Sequence, residues 1–112
     1  MYNQIMDEIA IMETALKELG KRGKALAYAE QNYKIALATE MLHLKEKGER
    51  ATIMRDLCYG TPHIAKLRLD RDIAEVMYKS ASEAIQVKKY KVKIMENQYD
   101  KEYGARNVGV GQ

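Results

Sequence analysis

A cluster of lysines surrounds one tyrosine in the second half of the chain, where no acidic residue occurs between Glu83 and Glu96. Lysine ammonium groups can neutralise phosphates, and a tyrosine ring can stack on a nucleic-acid base. The same residue types also form the solvated face of many helical bundles, so both interpretations stay open. The cluster consists of Lys88, Lys89, Tyr90, Lys91 and Lys93.

A second basic cluster lies in the first half of the chain, at Lys21, Arg22 and Lys24. If the chain turns back on itself near Met54, the numbers of facing positions add up to roughly 108. The second cluster then lies about one helical turn from the first. We therefore predict that the two clusters merge into one positive belt.

The histidines and the cysteine are poorly spaced for chemistry. His43 and His63 lack acidic residues at ligand spacing, so they make a poor metal site. Cys58 has no activating base at a recognisable spacing, and we interpret it as a small apolar plug rather than a nucleophile. We predict neither a metal nor a cofactor.

The charged residues between positions 68 and 75 resemble an acid/base active site only at first sight. On a helix, Arg68–Asp72 and Arg71–Glu75 are four residues apart, the spacing of surface ion pairs. Alternatively, Arg71 and Asp72 could set the register between subunits, as polar residues near a coiled-coil seam do. No acid/base constellation can be placed in either case, so we predict that the chain is not an enzyme.

The composition predicts a single all-α domain. The chain has 112 residues, one proline and neither tryptophan nor phenylalanine, and the residues that dominate it favour long helices. A lone cysteine is typical of a reducing compartment. The net charge of +3 arises in residues 61–112, which hold ten Lys and Arg against seven Asp and Glu, whereas residues 1–60 hold nine of each. An anionic partner is therefore expected to contact the second half.

Apolar residues of the first half recur in alternating steps of four and three, which is the spacing of a heptad seam. We predict a helix over about residues 3–47, ended by a left-handed cap at Gly48. Gly20 and Gly23 each weaken a helix by about 1 kcal/mol relative to alanine, so either a break or a close helix contact is expected near them. The seam comprises Ile5, Ile9, Met12, Leu16, Leu19, Gly23, Leu26, Glu30, Tyr33, Leu37, Glu40 and Leu44.

The connector at residues 48–61 is predicted to contain a short helix at the tip. Thr52 is a suitable residue to begin it, because its hydroxyl can accept a backbone N–H. Met54, Leu57 and Tyr59 would give this helix an apolar face.

Thr61 and Pro62 predict the start of a second long helix, because a capping hydroxyl precedes a residue that suits the first helical position. We predict this helix over about residues 62–103, and a flexible, glycine-rich tail over residues 104–112. Its predicted seam comprises Ile64, Leu67, Arg71, Ala74, Tyr78, Ala81, Ile85, Lys88, Val92, Met95 and Tyr99.

Two helices of matched length joined by a short connector are expected to form a long antiparallel hairpin over residues 1–103. Such a hairpin buries only one narrow strip on each helix, which rarely offsets the loss of chain entropy. We therefore expect a homo-oligomer, a dimer or larger, that forms a helical bundle.

Two segments, AYAEQNYKIAL at 27–37 and DRDIAEVMY at 70–78, resemble small helical-hairpin proteins encoded in bacteriophage replication and recombination regions. More distantly, residues 25–100 resemble the UvsY recombination mediators. This resemblance implies an all-α, oligomeric protein that helps load a recombinase onto single-stranded DNA covered by a single-strand binding protein. UvsY proteins carry basic residues just after the position of Leu37, where this chain has Ala38 and Glu40. The resemblance therefore implies that any DNA contacts have moved, and Lys88 to Lys93 become the better candidates.

Two functions stay open. The first is a non-enzymatic phage-type accessory protein of DNA recombination or replication, which binds single-stranded nucleic acid through the positive belt. The alternative is a phage-encoded adaptor or inhibitor that binds a protein through Met54, Leu57 and Tyr59 or through an exposed apolar seam. No apolar run approaches the roughly 20 residues that span a membrane, and we expect the protein in the cytoplasm of the host cell.

Overall fold

A computed structural model describes the backbone of residues 1–110 and the side chains of residues 1–104. It contains three helices: α1 (Tyr2–Glu46), α2 (Ala51–Gly60) and α3 (Pro62–Val110). No strand occurs in the described backbone, which confirms the prediction of an all-α protein. Over the same residues, none of the helices combines the length and the apolar character that crossing a bilayer requires.

The end of α1 follows the prediction at Gly48. This glycine has φ +83°, a left-handed conformation that a residue without a Cβ adopts at little cost. Its N–H donates to the Lys45 carbonyl over 3.0 Å, and the Glu49 N–H donates to the Leu44 carbonyl over 3.1 Å. These two bonds form a Schellman motif, which satisfies carbonyl groups that the end of the helix would otherwise leave unpaired.

Helix α1 passes through both interior glycines without a break. A Cβ built on Gly23 would lie 3.2 Å from Cε2 of Tyr78, whereas one on Gly20 would meet nothing within 4 Å. The close helix contact that the sequence left open therefore occurs at Gly23, beneath the Tyr78 ring.

The starts of α2 and α3 differ in detail from the prediction. Helix α2 begins at Ala51 after an N-cap residue, Arg50, that makes no side-chain capping bond, so Thr52 lies inside the helix. The Thr61 hydroxyl donates to the Leu57 carbonyl over 2.9 Å and so bonds the last turn of α2 instead of capping α3. Pro62 is the first residue of α3, as predicted.

Helix α3 extends further than expected. It continues past Gly104 to Val110, so its end was predicted wrongly near residue 103. Adding one residue to an existing helix gains a backbone hydrogen bond for little entropy, and a single glycine costs only about 1 kcal/mol. Residues 111 and 112 of the predicted tail lie outside the described residues.

The described chain divides into two compact units that share helices α1 and α3. Unit 1 comprises residues 1–20 and the described residues from 80 onward, and unit 2 comprises residues 21–79. The buried core of unit 1 is apolar and small: Ile5, Ile85 and Val92. The core of unit 2 draws on all three helices: Tyr33, Met54, Cys58 and Ile64.

The predicted seams are the residues that the structure buries. All eleven seam positions of α3 are buried or half-buried, and so are eleven of the twelve positions of α1. The exception is Leu16, which is 45% exposed. Alanines beside the α1 seam, such as Ala15 and Ala29, are also half-buried. The heptad pattern therefore identified the buried face of both long helices.

Candidate nucleic-acid interface

One glutamate in unit 1 binds two of the predicted interface lysines. Glu8 projects from α1, and its carboxylate accepts a hydrogen bond from Lys91 Nζ at 2.9 Å. The Lys88 Nζ lies 3.7 Å from the second carboxylate oxygen. The Glu8 side chain is only 15% exposed. Lys88 and Lys91 are therefore partly neutralised within the unit.

The electrostatics of Glu8 keep it ionised. The hydrogen bond from Lys91 lowers the pKa of this carboxyl group, and the charges of Lys91 and Lys88 act in the same direction, while partial burial opposes them. Among the described residues, no group donates a hydrogen bond to its buried Oε2 atom. Lys88 Nζ, 3.7 Å from that atom, supplies Coulomb attraction in place of a bond.

The rest of the lysine cluster is exposed and has no acidic partner among the described side chains. Lys89, Tyr90 and Lys93 all lie on the solvent side of α3, and Tyr90 is 73% exposed. At 100° per residue, these three side chains fall within an arc of about 100°. They form one continuous basic and aromatic surface, hereafter the Tyr90 surface, which a polyanion could reach without breaking a contact seen in the structure.

The cluster of the first half lies in unit 2. Lys21 and Lys24 are exposed, and Lys24 Nζ lies 5.9 Å from the centroid of the Tyr28 ring. Arg22 is half-buried and donates to the Met77 carbonyl over 3.0 Å. Because this cluster and the Tyr90 surface belong to different units, their merging into one positive belt stays a prediction.

The predicted protein-binding residues of α2 are not equally accessible. Met54 is buried and Tyr59 is half-buried, whereas Leu57 is 42% exposed. Ile53, which sequence reasoning did not select, is exposed beside Leu57. The apolar surface that α2 offers therefore consists of Ile53 and Leu57. Their spacing of four residues on one helix was the available signal.

The charged residues from 68 to 75 make different contacts from those predicted. The guanidinium of Arg68 lies 4.2 Å from the centroid of the Tyr59 ring. Arg71 lies 4.6 Å from the Tyr33 ring and pairs with the adjacent Asp72 at 2.7 Å. The predicted pairs Arg68–Asp72 and Arg71–Glu75 do not form among the described residues. Cation–π contact with partly buried rings has replaced them.

These contacts perturb the titration of their own groups. Burial raises the pKa of Tyr33, with neighbouring Tyr59 adding to the effect. The hydrogen bond to Asp72 raises the pKa of Arg71, which is already high. Tyr33 therefore stays neutral and Arg71 stays charged near neutral pH. The contact between them combines packing with a fixed positive charge.

The cysteine and the histidines lie in opposite environments in the structure. Cys58 is completely buried, and burial together with the nearby charge of Glu40 raises the pKa of its thiol. A protonated, enclosed thiol is a poor nucleophile. His43 and His63 are exposed, and no group of three His, Cys, Asp or Glu residues within the described part of the chain could hold a metal ion.

Comparison with known proteins adds no relative to this description. No model of a protein family matches the chain, and neither a curated protein nor a solved structure matches it.

Proposed function

We propose that the chain is a non-enzymatic accessory protein of DNA recombination or replication, of the phage type, that binds single-stranded nucleic acid. The binding surface is centred on Lys89, Tyr90 and Lys93 of unit 1. Lys21 and Lys24 of unit 2 are a separate candidate contact. Its partners are single-stranded DNA and recombination or single-strand binding proteins in the cytoplasm of a host cell. The resemblance to helical-hairpin phage proteins and to UvsY mediators motivates the biological setting.

The proposed architecture is an antiparallel hairpin of α1 and α3, with α2 at the tip, that assembles into an oligomeric bundle. Within unit 1 Tyr2 contacts Tyr99 and Glu8 contacts Lys91. Within unit 2 Gly23 meets Tyr78, and Tyr33 lies against Arg71. In each unit the residue number falls along α3 as it rises along α1, which is the order of antiparallel helices. The large apolar side chains that remain exposed support association, because water-exposed apolar patches mark interfaces. An oligomer would present several Tyr90 surfaces to one strand, which raises avidity.

One observation carries the proposed function: Tyr90, the most exposed large aromatic side chain of the described residues, shares a face of α3 with Lys89 and Lys93, and neither lysine has an acidic partner among those residues. Stacking on an aromatic ring contributes about 1 to 3 kcal/mol per base and tolerates any base sequence. Lysine contacts add phosphate neutralisation. This combination suits a flexible single strand better than a duplex, whose bases are already stacked.

The test is fluorescence anisotropy of the full chain with labelled oligo(dT) at two salt concentrations. We expect binding that weakens as salt rises. For the variant Lys89→Glu/Lys93→Glu, we expect loss of binding at low salt. A milder variant, Lys89→Gln/Lys93→Gln, should lower the slope of log K against log salt by about 1.4, because each lost phosphate contact on a single strand contributes about 0.7.

The matched control is Lys34→Glu/Lys45→Glu, which makes the same change in charge at two exposed lysines of α1. It should leave most of the binding intact. If the two glutamate variants bind equally weakly, the interaction is with net charge alone and the proposed surface is wrong. Absence of binding by the unaltered chain at low salt removes the proposed function.

A second candidate function, a protein-binding adaptor, is favoured by the exposed pair Ile53 and Leu57 on α2. A pull-down with nuclease-treated lysate separates the two functions, because only a protein contact survives digestion of nucleic acid. Under the adaptor hypothesis, capture persists after digestion, Leu57→Glu abolishes it and Lys89→Glu/Lys93→Glu does not. Capture that is seen in untreated lysate and lost after digestion favours nucleic-acid binding.

A further inference from the structure

Helix α3 exposes a group of large apolar side chains within unit 2, on the face opposite its buried seam. Leu69 is 57% exposed, Ile73 53%, Val76 62% and Met77 46%. The steps from 69 to 73 and from 73 to 76 are four and three, so the exposed group repeats with heptad spacing. We call these four residues the outer face of α3. It has the pattern of a second coiled-coil seam that nothing in the chain covers within unit 2.

The surface of the outer face is shaped to receive another helix. A hollow of about 240 Å³ is lined by Asp72, Ile73, Val76 and Met77. Asp72 and Val76 form one row of residues four apart, and Ile73 and Met77 form the next row. Grooves between such rows accept a row of side chains from a packed helix.

The outer face of α1 in unit 2 is a weaker candidate. Its large apolar residues Tyr28, Ile35 and Leu42 are also exposed, but they occur once every seven residues. A coiled-coil seam needs two apolar residues in each heptad to keep a helix in contact along its length. Helix α3 is therefore the better candidate for packing against another helix.

We propose that the outer face of α3 is the docking site for a second copy of this chain, with the two α3 helices antiparallel and Ile73 of each copy packed against Val76 of the other. The proposal rests on the oligomerisation that forms part of the proposed function, and it names the face and the register. It does not depend on nucleic-acid binding.

Charge complementarity identifies the second copy as the occupant. Asp72 and Lys79 flank the outer face and are exposed, at 52% and 68% of their side chains. With Ile73 against Val76 of the second copy, Asp72 of each copy comes opposite Lys79 of the other. The two-fold symmetry then makes two attractive pairs. Charged residues beside a seam set the orientation and register of coiled coils in this way.

Other registers lack this complementarity. A shift of one heptad in one direction places Asp72 opposite Asp72, and a shift in the other direction places Lys79 opposite Lys79. A parallel arrangement brings Asp72 to Met77 and forms no charge pair. Asp72 receives both hydrogen bonds of Arg71 on Oδ1, so its Oδ2 accepts none from the described residues. Lys79 contacts Glu75 at 2.8 Å. An ammonium group has three N–H donors, so Lys79 can contact Glu75 and Asp72 of the second copy at the same time.

The test is the molar mass of the full chain by light scattering during gel filtration. We expect at least twice the 12.8 kDa of one chain. The variant Val76→Glu should halve the molar mass or reduce it to that of one chain. The control Leu42→Glu places the same charge on the exposed face of α1 and should leave the mass unchanged. Circular dichroism at 222 nm verifies that each variant stays helical.

A charge-exchange series keeps the proposal falsifiable if Val76→Glu unfolds. Lys79→Asp and Asp72→Lys should each raise the dimer dissociation constant about tenfold, and Asp72→Lys/Lys79→Asp should recover most of the loss. Failure of the double variant to recover overturns the antiparallel register. An unchanged mass for Val76→Glu, or an equal loss for Leu42→Glu, overturns the docking face.

The outcome also separates this proposal from the proposed function. An unaltered chain of 12.8 kDa overturns both the docking face and the oligomeric bundle. A dimer that Val76→Glu dissociates supports the docking face even if oligo(dT) does not bind. A dimer insensitive to Val76→Glu overturns the docking face alone.

Discussion

Unit 2 contains a third helix and unit 1 does not, and the two units are stabilised differently as a result. In unit 2, α2 contributes Met54 and Cys58 to the core and places Tyr59 beneath Arg68. In unit 1, only α1 and α3 pack together, and the ion cluster of Glu8 with Lys88 and Lys91 lies beside the small core. Tyr99 also contacts the rings of Tyr2 and Tyr103 there.

This difference concerns how apolar side chains are shielded from water when only two helices pack together. Two helices can enclose few residues completely, because each buries only a narrow strip. A long lysine side chain can cover an apolar surface with its methylene groups and keep its charge at the edge. In unit 1 the half-buried Lys88 lies on the buried seam of α3, whereas the core of unit 2 includes side chains of α2. The same lysine-rich edge is what makes unit 1 a candidate for binding an anion.

The largest expected effect is the loss of stability when a buried isoleucine is replaced by alanine. This loss should differ between the two cores. Ile64 in unit 2 and Ile85 in unit 1 are almost completely buried. Ile64→Ala should lower the free energy of unfolding by about 4 kcal/mol, and Ile85→Ala by about 2 kcal/mol, within the range known for buried isoleucine. Because three helices contribute to the core around Ile64, we expect the cavity left there to collapse less than one between two helices. Urea denaturation followed by circular dichroism measures both values, and a larger loss for Ile85→Ala would contradict the comparison.

The next effect concerns the cation–π contact of unit 2. Replacing Arg71 by methionine removes the charge above the Tyr33 ring and leaves Asp72 without its partner. We expect a loss of about 1 to 2 kcal/mol, the magnitude of a partly desolvated cation–π contact. Arg71→Lys is the control that keeps the charge but not the planar group. Its loss of stability should be about half that of the methionine variant. Equal stability of all three proteins in urea denaturation would show that the contact contributes nothing.

The two interior glycines provide a smaller and opposite pair of effects. Gly20→Ala should stabilise the protein by about 0.5 to 1 kcal/mol, because alanine favours a helix and the added methyl group meets open space. Gly23→Ala gains the same propensity but brings its methyl group to 3.2 Å from the Tyr78 ring. We expect little or no net gain there. Thermal unfolding of both variants tests the pair, and an equal rise in Tm would show that Tyr78 moves freely.

The smallest expected effect is that of Glu8→Gln in unit 1. Because the pKa of Glu8 is lowered by Lys91, its contribution to stability is present above the ordinary carboxyl value of 4.5 and is lost as the pH falls through the lower value in the folded state. The variant should therefore have a slightly lower Tm at pH 7, and its difference from the unaltered protein should shrink as the pH falls toward 2. A difference that persists at pH 2 would assign the effect to packing instead of charge.

Local patterns in the sequence predicted the helices and their buried faces. The seam of α3 needed only its steps of three and four, and Gly48 and Pro62 marked helix ends because their backbone preferences are local properties. The end of α3 was predicted wrongly because glycines in the tail suggested a stop. Helix propensity is a weak guide where an existing helix can simply continue.

The candidate interface could be predicted only in part. Lysine and tyrosine positions around Tyr90 were evident, but Glu8 lies 83 residues from Lys91 in the chain, and no local pattern joins them. The same limit applies to α2, where the burial of Met54 and the exposure of Ile53 depend on how α2 lies against the long helices.

The sequence by itself determined the helical content, the buried stripe of each long helix and the positions of the turns, since each depends on residues within one or two helical turns. Only the tertiary structure decided which lysines are neutralised, that Arg68 and Arg71 lie over tyrosine rings, and which apolar residues remain exposed on α3. These outcomes depend on distances between residues far apart in the chain. A heptad pattern fixes which face of a helix is buried, but not what every side chain at its edge will contact.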